Sequence, residues 1–311
     1  MTLRHGTYFG NLKLPQHKGT VFLNPSSGVR FPATEKQALE QAAREAGLDV
    51  IHLGRDVNVT EVIRQRMREG MKLFVAAGGD GSINHVVQPL VNSEGILGVI
   101  AAGTYNHFAK DVNIPLDWRE ALDVALNGET RQVDTARVNE RYFVNNLSMG
   151  LYPELVARRE EKGRDYPRWK ARLHAFYMTF RAYPHVSFTV ETEHHQEVVR
   201  SQLFMASNNS YDLSRIGVEA PRNAMNEGRL SVYWLPHLSR YELMKFGAHY
   251  LAGRVTQAPG FRSFRTARMR VQSRHRELEV GLDGELFTME TPLVVTSVPQ
   301  SLLVRVPRGS E

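Results

Sequence analysis

From Thr20 to Asn127 the chain repeats one alternation: a short apolar run, a turn bearing glycine or small polar residues, then a stretch with helical period. Neighbouring parallel strands cannot be joined by a tight hairpin and need a long crossover, usually a helix, so the alternation specifies a parallel sheet covered by helices. TVFLN reads as the first strand, and TEKQALEQAAREAG as the helix after it, with Thr34 and Gln37 spaced as a capping box and Gly47 placed to end it. LDVIHL, MKLFVAA and LGVIAAG read as the next strands. The helices between and after them run from Thr60 to Gly70, from near Ile83 to a limit set by Pro89, and over WREALDVALNG. After Arg131 the period changes to two: RYFVNNLSM, VSFTVET, VVRSQLFMAS, RLSVYWL, RMRVQS and RELEVGLDGE alternate as antiparallel strands do. The expected division is an extension over residues 1–17, an α/β domain over 18–130, a β-rich domain over 131–295, and a segment over 296–311 that returns to the first domain.

With 311 residues, 42% of them hydrophobic, the chain has material for a core in each of about two domains. The absence of cysteine removes disulfides, thiolate metal ligands and thiol nucleophiles, and suits the cytoplasm. MTLRHGTYFGNLKLPQHKG lacks a signal-peptide core, and no later stretch approaches the ~20 apolar residues of a membrane span, so the expected membrane contact is peripheral. A formal charge of +6 favours an anionic partner, a sign that nucleic acid, anionic lipid and nucleotide share.

The stretch FVAAGGDGSINHVV, Phe74–Val87, ends an apolar run in glycine and opens a helix. Such a junction directs backbone N–H groups and the positive end of the helix dipole at one point, which favours phosphate. NPSSG, Asn24–Gly28, follows the first strand, and AAGTYNHFAKDVNIP, Ala101–Pro115, includes the end of the fourth. All three lie at the carboxyl edge of the sheet, where open α/β folds bind ligands. The P-loop pattern G-x-x-x-x-G-K-[ST] and the dinucleotide pattern G-x-G-x-x-G are both absent.

NPSSG, GGDGSIN and AAGTYNHFAKD, followed downstream by GLDGE at Gly281–Glu285, resemble the diacylglycerol kinase catalytic domain of bacterial lipid kinases, in a superfamily with sphingosine and ceramide kinases. The resemblance runs from Lys18 to Pro307. It implies an N-terminal α/β domain of the NAD kinase and phosphofructokinase type, a β-sandwich-like second domain, and ATP in the cleft between them. It further implies that Asn24, Pro25, Ser26, Ser27 and Gly28, together with Gly78, Gly79, Asp80, Gly81, Ser82 and Asn84, hold the phosphates, with Thr104 and Asn106 completing the site. Asp80 would face nucleotide-bound Mg²⁺, an ion that takes one or two carboxylates plus phosphate and water, and Asp134 would assist.

Asp283 and Glu285 match the family's late acidic motif. If the segment stays extended, both carboxylates point the same way and raise each other's pKa, which suits a base toward an alcohol. The resemblance favours Glu285 as proton acceptor with Asp283 as metal or hydrogen-bonding partner, and the roles are interchangeable at this level. An isolated Asp-Gly here also reads as a hairpin turn.

The chain departs from the family pattern in three places. Ser82 stands where threonine is usual, His107 where aspartate is usual, and APRNAMNEGRL puts Glu227 at the aspartate of a structural Mg²⁺ segment whose other ligands correspond to the backbone oxygens of Ala224 and Arg229. A basic aromatic stretch, Glu154–Arg181, and six arginines between Phe261 and Arg276 suit an anionic membrane surface. The arginine cluster suits nucleic acid by charge as well, but it carries no zinc-finger or RNA-recognition signature, so nucleic acid is set aside. His194 and His195 read as exposed rings. A homodimer is compatible with this reading. Two other functions remain open: a kinase acting on a soluble alcohol, as NAD kinase does, and a non-catalytic lipid- or nucleotide-binding regulator.

Overall fold

The structure is a computed structural model and describes residues 18–27, 31–54, 56–150, 186–193, 195–208, 226–236, 242, 245 and 262–309. Gly28, Ala224, His194 and the 154–181 stretch lie outside the described residues.

The first half follows the alternation: β1 (Gly19–Leu23), α1 (Ala33–Glu45), β2 (Leu48–His52), α2 (Val59–Arg68), β3 (Leu73–Gly78), α3 (Asp80–Leu90), β4 (Ile96–Ala101), α4 (His107–Asp111) and α5 (Trp118–Asn127). β1 pairs in parallel with β2 and β3, and β3 with β4. Every residue of β1 and β3 is buried, as strands covered on both faces must be. α3 packs on β3 and against α2, and α5 on β4 and against α1.

Three helix starts differ from the sequence expectation. α1 begins at Ala33 behind Pro32, with no side-chain cap, so Thr34 falls inside the first turn and the capping box does not form. α2 begins at Val59 because Asn58 caps it, its Oδ1 accepting the Glu61 N–H at 3.1 Å. α3 begins at Asp80, because extended Gly79 is its N-cap and the glycine-aspartate turn is the helix's own first turn.

The second half is antiparallel: β5 (Glu129–Val138), β6 (Arg141–Phe143), β7 (Asn146–Gly150), β8 (Val186–Thr192), β9 (Gln196–Ser207), β10 (Leu230–Pro236), β11 (Arg262–Thr266), β12 (Arg268–Ser273), β13 (Glu277–Leu282), β14 (Glu285–Glu290) and β15 (Leu293–Val306). The expected class, a parallel-sheet α/β half followed by an antiparallel β half, is what forms. The two sheets are continuous through β15, which pairs antiparallel with β12 and β5 and then parallel with β4.

Two apolar cores result, one containing Phe22, Phe74, Ile83 and Phe108, the other Phe143, Phe204, Val271 and Val280. Two strands serve both. β5 gives Val133 to the first core and Ala136 and Val138 to the second; β15 gives Leu302, Val304 and Val306 to the first and Leu293 and Val295 to the second. Where they cross, the β5–β15 register shifts between Val298 and Leu302, and Gln300 adopts a φ of 48°. Asp134, 2% exposed, secures this bulge by accepting the Gln300 N–H at 2.8 Å and the Gly228 N–H at 2.7 Å. Asp134→Ala should leave both donors without this acceptor and lower stability by on the order of 2 kcal/mol, measurable as a reduced urea midpoint.

Candidate active site

The three turns sit side by side because β1, β3 and β4 are neighbours. Asn24 leaves β1 and ties its turn to α3: its Nδ2 donates to Ser82 Oγ at 2.8 Å, while its Oδ1 accepts the Ser26 N–H at 2.9 Å. Ser27 donates its hydroxyl to the Asn24 carbonyl at 2.7 Å. A Cβ on Gly103 would lie 2.5 Å from the Gly79 Cα, so only glycine lets these two backbones meet. Asn106, at a φ of 53°, holds Gly103 at both ends, accepting its N–H at 2.9 Å and donating to its carbonyl at 3.1 Å. The first backbone bond at the start of α3 is Ile83 N–H to the Gly79 carbonyl at 3.0 Å, so the preceding N–H groups have no acceptor within the helix.

Opposite these turns lies the β13–β14 hairpin. Its two-residue connection, Asp283-Gly284, has φ values of 48° and 91°, the doubly positive geometry of a tight hairpin turn. This corrects the extended reading: the positive φ values turn the two carboxylates apart. Asp283 points inward, 4% exposed, and accepts the N–H groups of Val144 (2.9 Å), Asn145 (2.8 Å) and Asn146 (3.0 Å) and the Asn84 Nδ2–H (2.7 Å). Glu285 is half-buried and reaches α3, its Oε2 3.2 Å from His85 Nε2.

The carboxylates do not raise each other's pKa, which is a second correction. Burial pushes the Asp283 carboxyl up to about 6, against the pull of its N–H donors. The hydrogen bond from His85 holds Glu285 below its ordinary value, with burial opposing and Arg141 assisting.

Between turns and hairpin is a cavity of about 260 Å³. Asn24, Ser27, Gly79, Gly81, Ser82 and Thr104 line one side with Gly103, and Asp283, Gly284 and Glu285 the other. Pro25 and Ser26 are exposed on the same loop, outside the lining, and Gly78 lies beneath, where a Cβ would strike Ser82 at 2.6 Å. Asn84 is buried behind the wall, donating to the Tyr142 carbonyl as well as to Asp283.

Asp80 is not in the lining. Its Oδ1 accepts the Phe108 N–H at 3.3 Å and the Asn145 Nδ2–H at 3.2 Å. Asn145 is 2% exposed and its Oδ1 is buried without a partner. Since Asn145 turns its Nδ2 to Asp80, the group here that suits a hard cation keeping phosphate and water ligands is the Asp80 carboxylate, and Asp80 fits Mg²⁺. Asp134 is brought to the 226–229 turn rather than into the cavity, and there Glu227 pairs with Arg265 at 2.7 Å while Arg229 is exposed.

The residues that sequence reasoning missed are Val144, Asn145 and Asn146, which it read only as strand, and His85. The adjacent asparagines at a strand start were the available signal; backbone donors leave none.

Residues 18–138, a span that contains all three glycine turns, match the diacylglycerol kinase catalytic domain. A diacylglycerol kinase of Bacillus subtilis (strain 168) is 34% identical over 146 residues, 45% of this chain and 48% of that protein. One from Staphylococcus aureus (strain JH9) is 32% identical over 137 residues, 43% of this chain and 44% of that one. The chain thus spans about half the length of the curated relatives it matches. The likeness of fold covers more of the chain: a crystal structure described as a diacylglycerol kinase from Bacillus anthracis str. Sterne is similar with a TM-score of 0.69, at 17% identity, over 94% of this chain and 98% of that one.

Because four N–H donors converge on one buried carboxylate, Asp283→Ala should cost on the order of 3 kcal/mol or more in chemical unfolding. A loss below about 1 kcal/mol would show that the donors find other acceptors.

Proposed function

We propose that this protein transfers the γ-phosphoryl group of ATP to a hydroxyl of a diacylglycerol-like lipid, with Glu285 accepting the proton. The observation that carries this reading is that the Glu285 carboxylate shares one cavity with the three glycine turns and the start of α3. Phosphoryl transfer asks a protein mainly for positioning and charge stabilisation. The N–H groups at the start of α3 and the polar groups of Asn24, Ser27 and Thr104 bind and orient the phosphates. Mg²⁺ held by the Asp80 carboxylate would supply neutralisation of phosphate charge. The lipid hydroxyl stands between the γ-phosphorus and Glu285. Its oxygen forms the new P–O bond as the bond to ADP breaks, and its proton passes to the Glu285 carboxylate.

Burial separates the two candidate bases. Asp283 is nearly inaccessible and its oxygens already accept four N–H groups, whereas Glu285 is half-exposed at the cavity. Asp283 is therefore the residue that sets the hairpin, and Glu285 the one that meets substrate. Lipid as acceptor is supported by the family and by Leu286, an apolar side chain 52% exposed directly after Glu285.

A cytoplasmic protein that meets its substrate at a membrane surface belongs to the same proposal. No helix among the described residues is long and apolar enough to span a membrane. Of the arginines between 262 and 276, Arg262, Arg265, Arg270 and Arg276 have acidic partners, so this patch presents less positive charge to anionic lipid than its composition suggests.

The test is incubation with labelled ATP, Mg²⁺ and a panel of lipid and soluble alcohols. Label should enter a lipid, and Glu285→Gln should reduce turnover by roughly 10²–10⁴-fold while nucleotide affinity changes little. Label in a soluble alcohol alone would favour the soluble-substrate kinase, and normal turnover by Glu285→Gln would remove the assignment of the base.

A further inference from the structure

Gly81 and His85 are four residues apart on α3 and so share one helix face. The Glu285 carboxylate lies across that face. A Cβ on Gly81 would come 2.6 Å from Glu285 Oε1, and His85 Nε2 is 3.2 Å from Oε2. One oxygen thus rests over a residue with no side chain, and the other is fixed by the imidazole one turn further on. Arg141 on β6 flanks the pair, its guanidinium 4.4 Å from the centre of the Phe287 ring, two residues along β14 from Glu285.

We propose that His85 is the positioning residue of Glu285: its imidazole fixes the carboxylate at the cavity, and loss of the imidazole proton releases it as a stronger base. This rests on the reading of Glu285 as proton acceptor. While His85 is protonated, the cation stabilises the ionised carboxylate and weakens it as a base. Once His85 is neutral, an Nε2–H still orients Glu285 but the charge is gone, so the carboxylate takes the substrate proton more readily.

The charges acting on the ring are Glu285 from β14, which raises its pKa above 6.5, and Arg141 from β6, which opposes; burial opposes as well. Among the described residues, α2, β3, β4, β6 and β15 pack on α3, and of these only β6 adds a charge to the balance. The ion pair therefore exists from the lowered Glu285 pKa up to the raised His85 pKa, and phosphorylation should increase as pH rises through the latter.

Two measurements test this. NMR titration of the His85 ring should give a pKa above 6.5 in the wild type that falls toward 6.5 in Glu285→Gln; an unchanged value would show that the pair does not form and would overturn the proposal. The second is the pH profile of kcat/KM for lipid phosphorylation in the wild type, His85→Gln and His85→Ala, with urea midpoints to verify folding. His85→Gln keeps an N–H donor without a charge, so its acidic limb should move from above 6.5 toward the ordinary carboxylate value of 4.5, with activity at pH 8 within about threefold of wild type. His85→Ala loses the donor and should fall about tenfold or more across the range. A limb at the same pH in His85→Gln and wild type would refute the role. If the wild type phosphorylates no alcohol, the functional reading fails, while the ring titration still decides whether His85 holds Glu285.

Discussion

The interaction on which the rest depends is the grip of three consecutive backbone N–H groups, those of Val144, Asn145 and Asn146, on the Asp283 carboxylate. It brings the entry to β7 against a hairpin formed far downstream, and Asn84 adds α3 to the same carboxylate. Three separate segments thus share one buried acceptor. Buried donors without partners are costly, so none of the three shifts without breaking charge-assisted hydrogen bonds. The position of Glu285 follows from this. With Asp283 held inward and the Asp283-Gly284 turn tight, the first residue of β14 has to emerge opposite the start of α3.

The parallel half was legible because covered strands and crossover helices impose different periods on the same chain. The start of each helix was less so. Pro32, Asn58 and Gly79 set them, and each lies just outside the periodic stretch that announces the helix. In the site, the glycines were readable because close backbone approach leaves few alternatives, as at Gly79 and Gly103. The directions of the late carboxylates were not. Strand alternation applies only to extended backbone, and one turn with two positive φ values reverses it. His85 and Asn145 were hidden for another reason: their partners are Glu285 and Asp80, on other elements, and neither belongs to a local pattern.

The join between the two halves constrains the site as much as the turns do. β5 and β15 contribute to both apolar cores, so the halves cannot separate as beads on a linker would without unpairing those strands. Asp134 sits at the crossing with its carboxylate on the Gln300 and Gly228 N–H groups, clasping a register shift that lets one strand serve two cores. The cavity inherits this rigidity: its turns belong to the first half and its hairpin to the second.

Four aspartates and glutamates that look alike in sequence therefore divide by environment. Asp134 and Asp283 are 2% and 4% exposed, and N–H groups occupy their oxygens, so they hold backbone in place. Asp80 and Glu285 are only partly buried. Asp80 is paired by single, longer contacts to Phe108 and Asn145, which leaves lone pairs open; Glu285 is held by one imidazole, which leaves an oxygen open. A carboxylate that is satisfied by protein cannot also accept from substrate, because its lone pairs are limited and a new donor must displace an existing one. By that criterion the two carboxylates the fold has left incompletely satisfied are the ones open to a new partner, and their placement depends on the two it has satisfied.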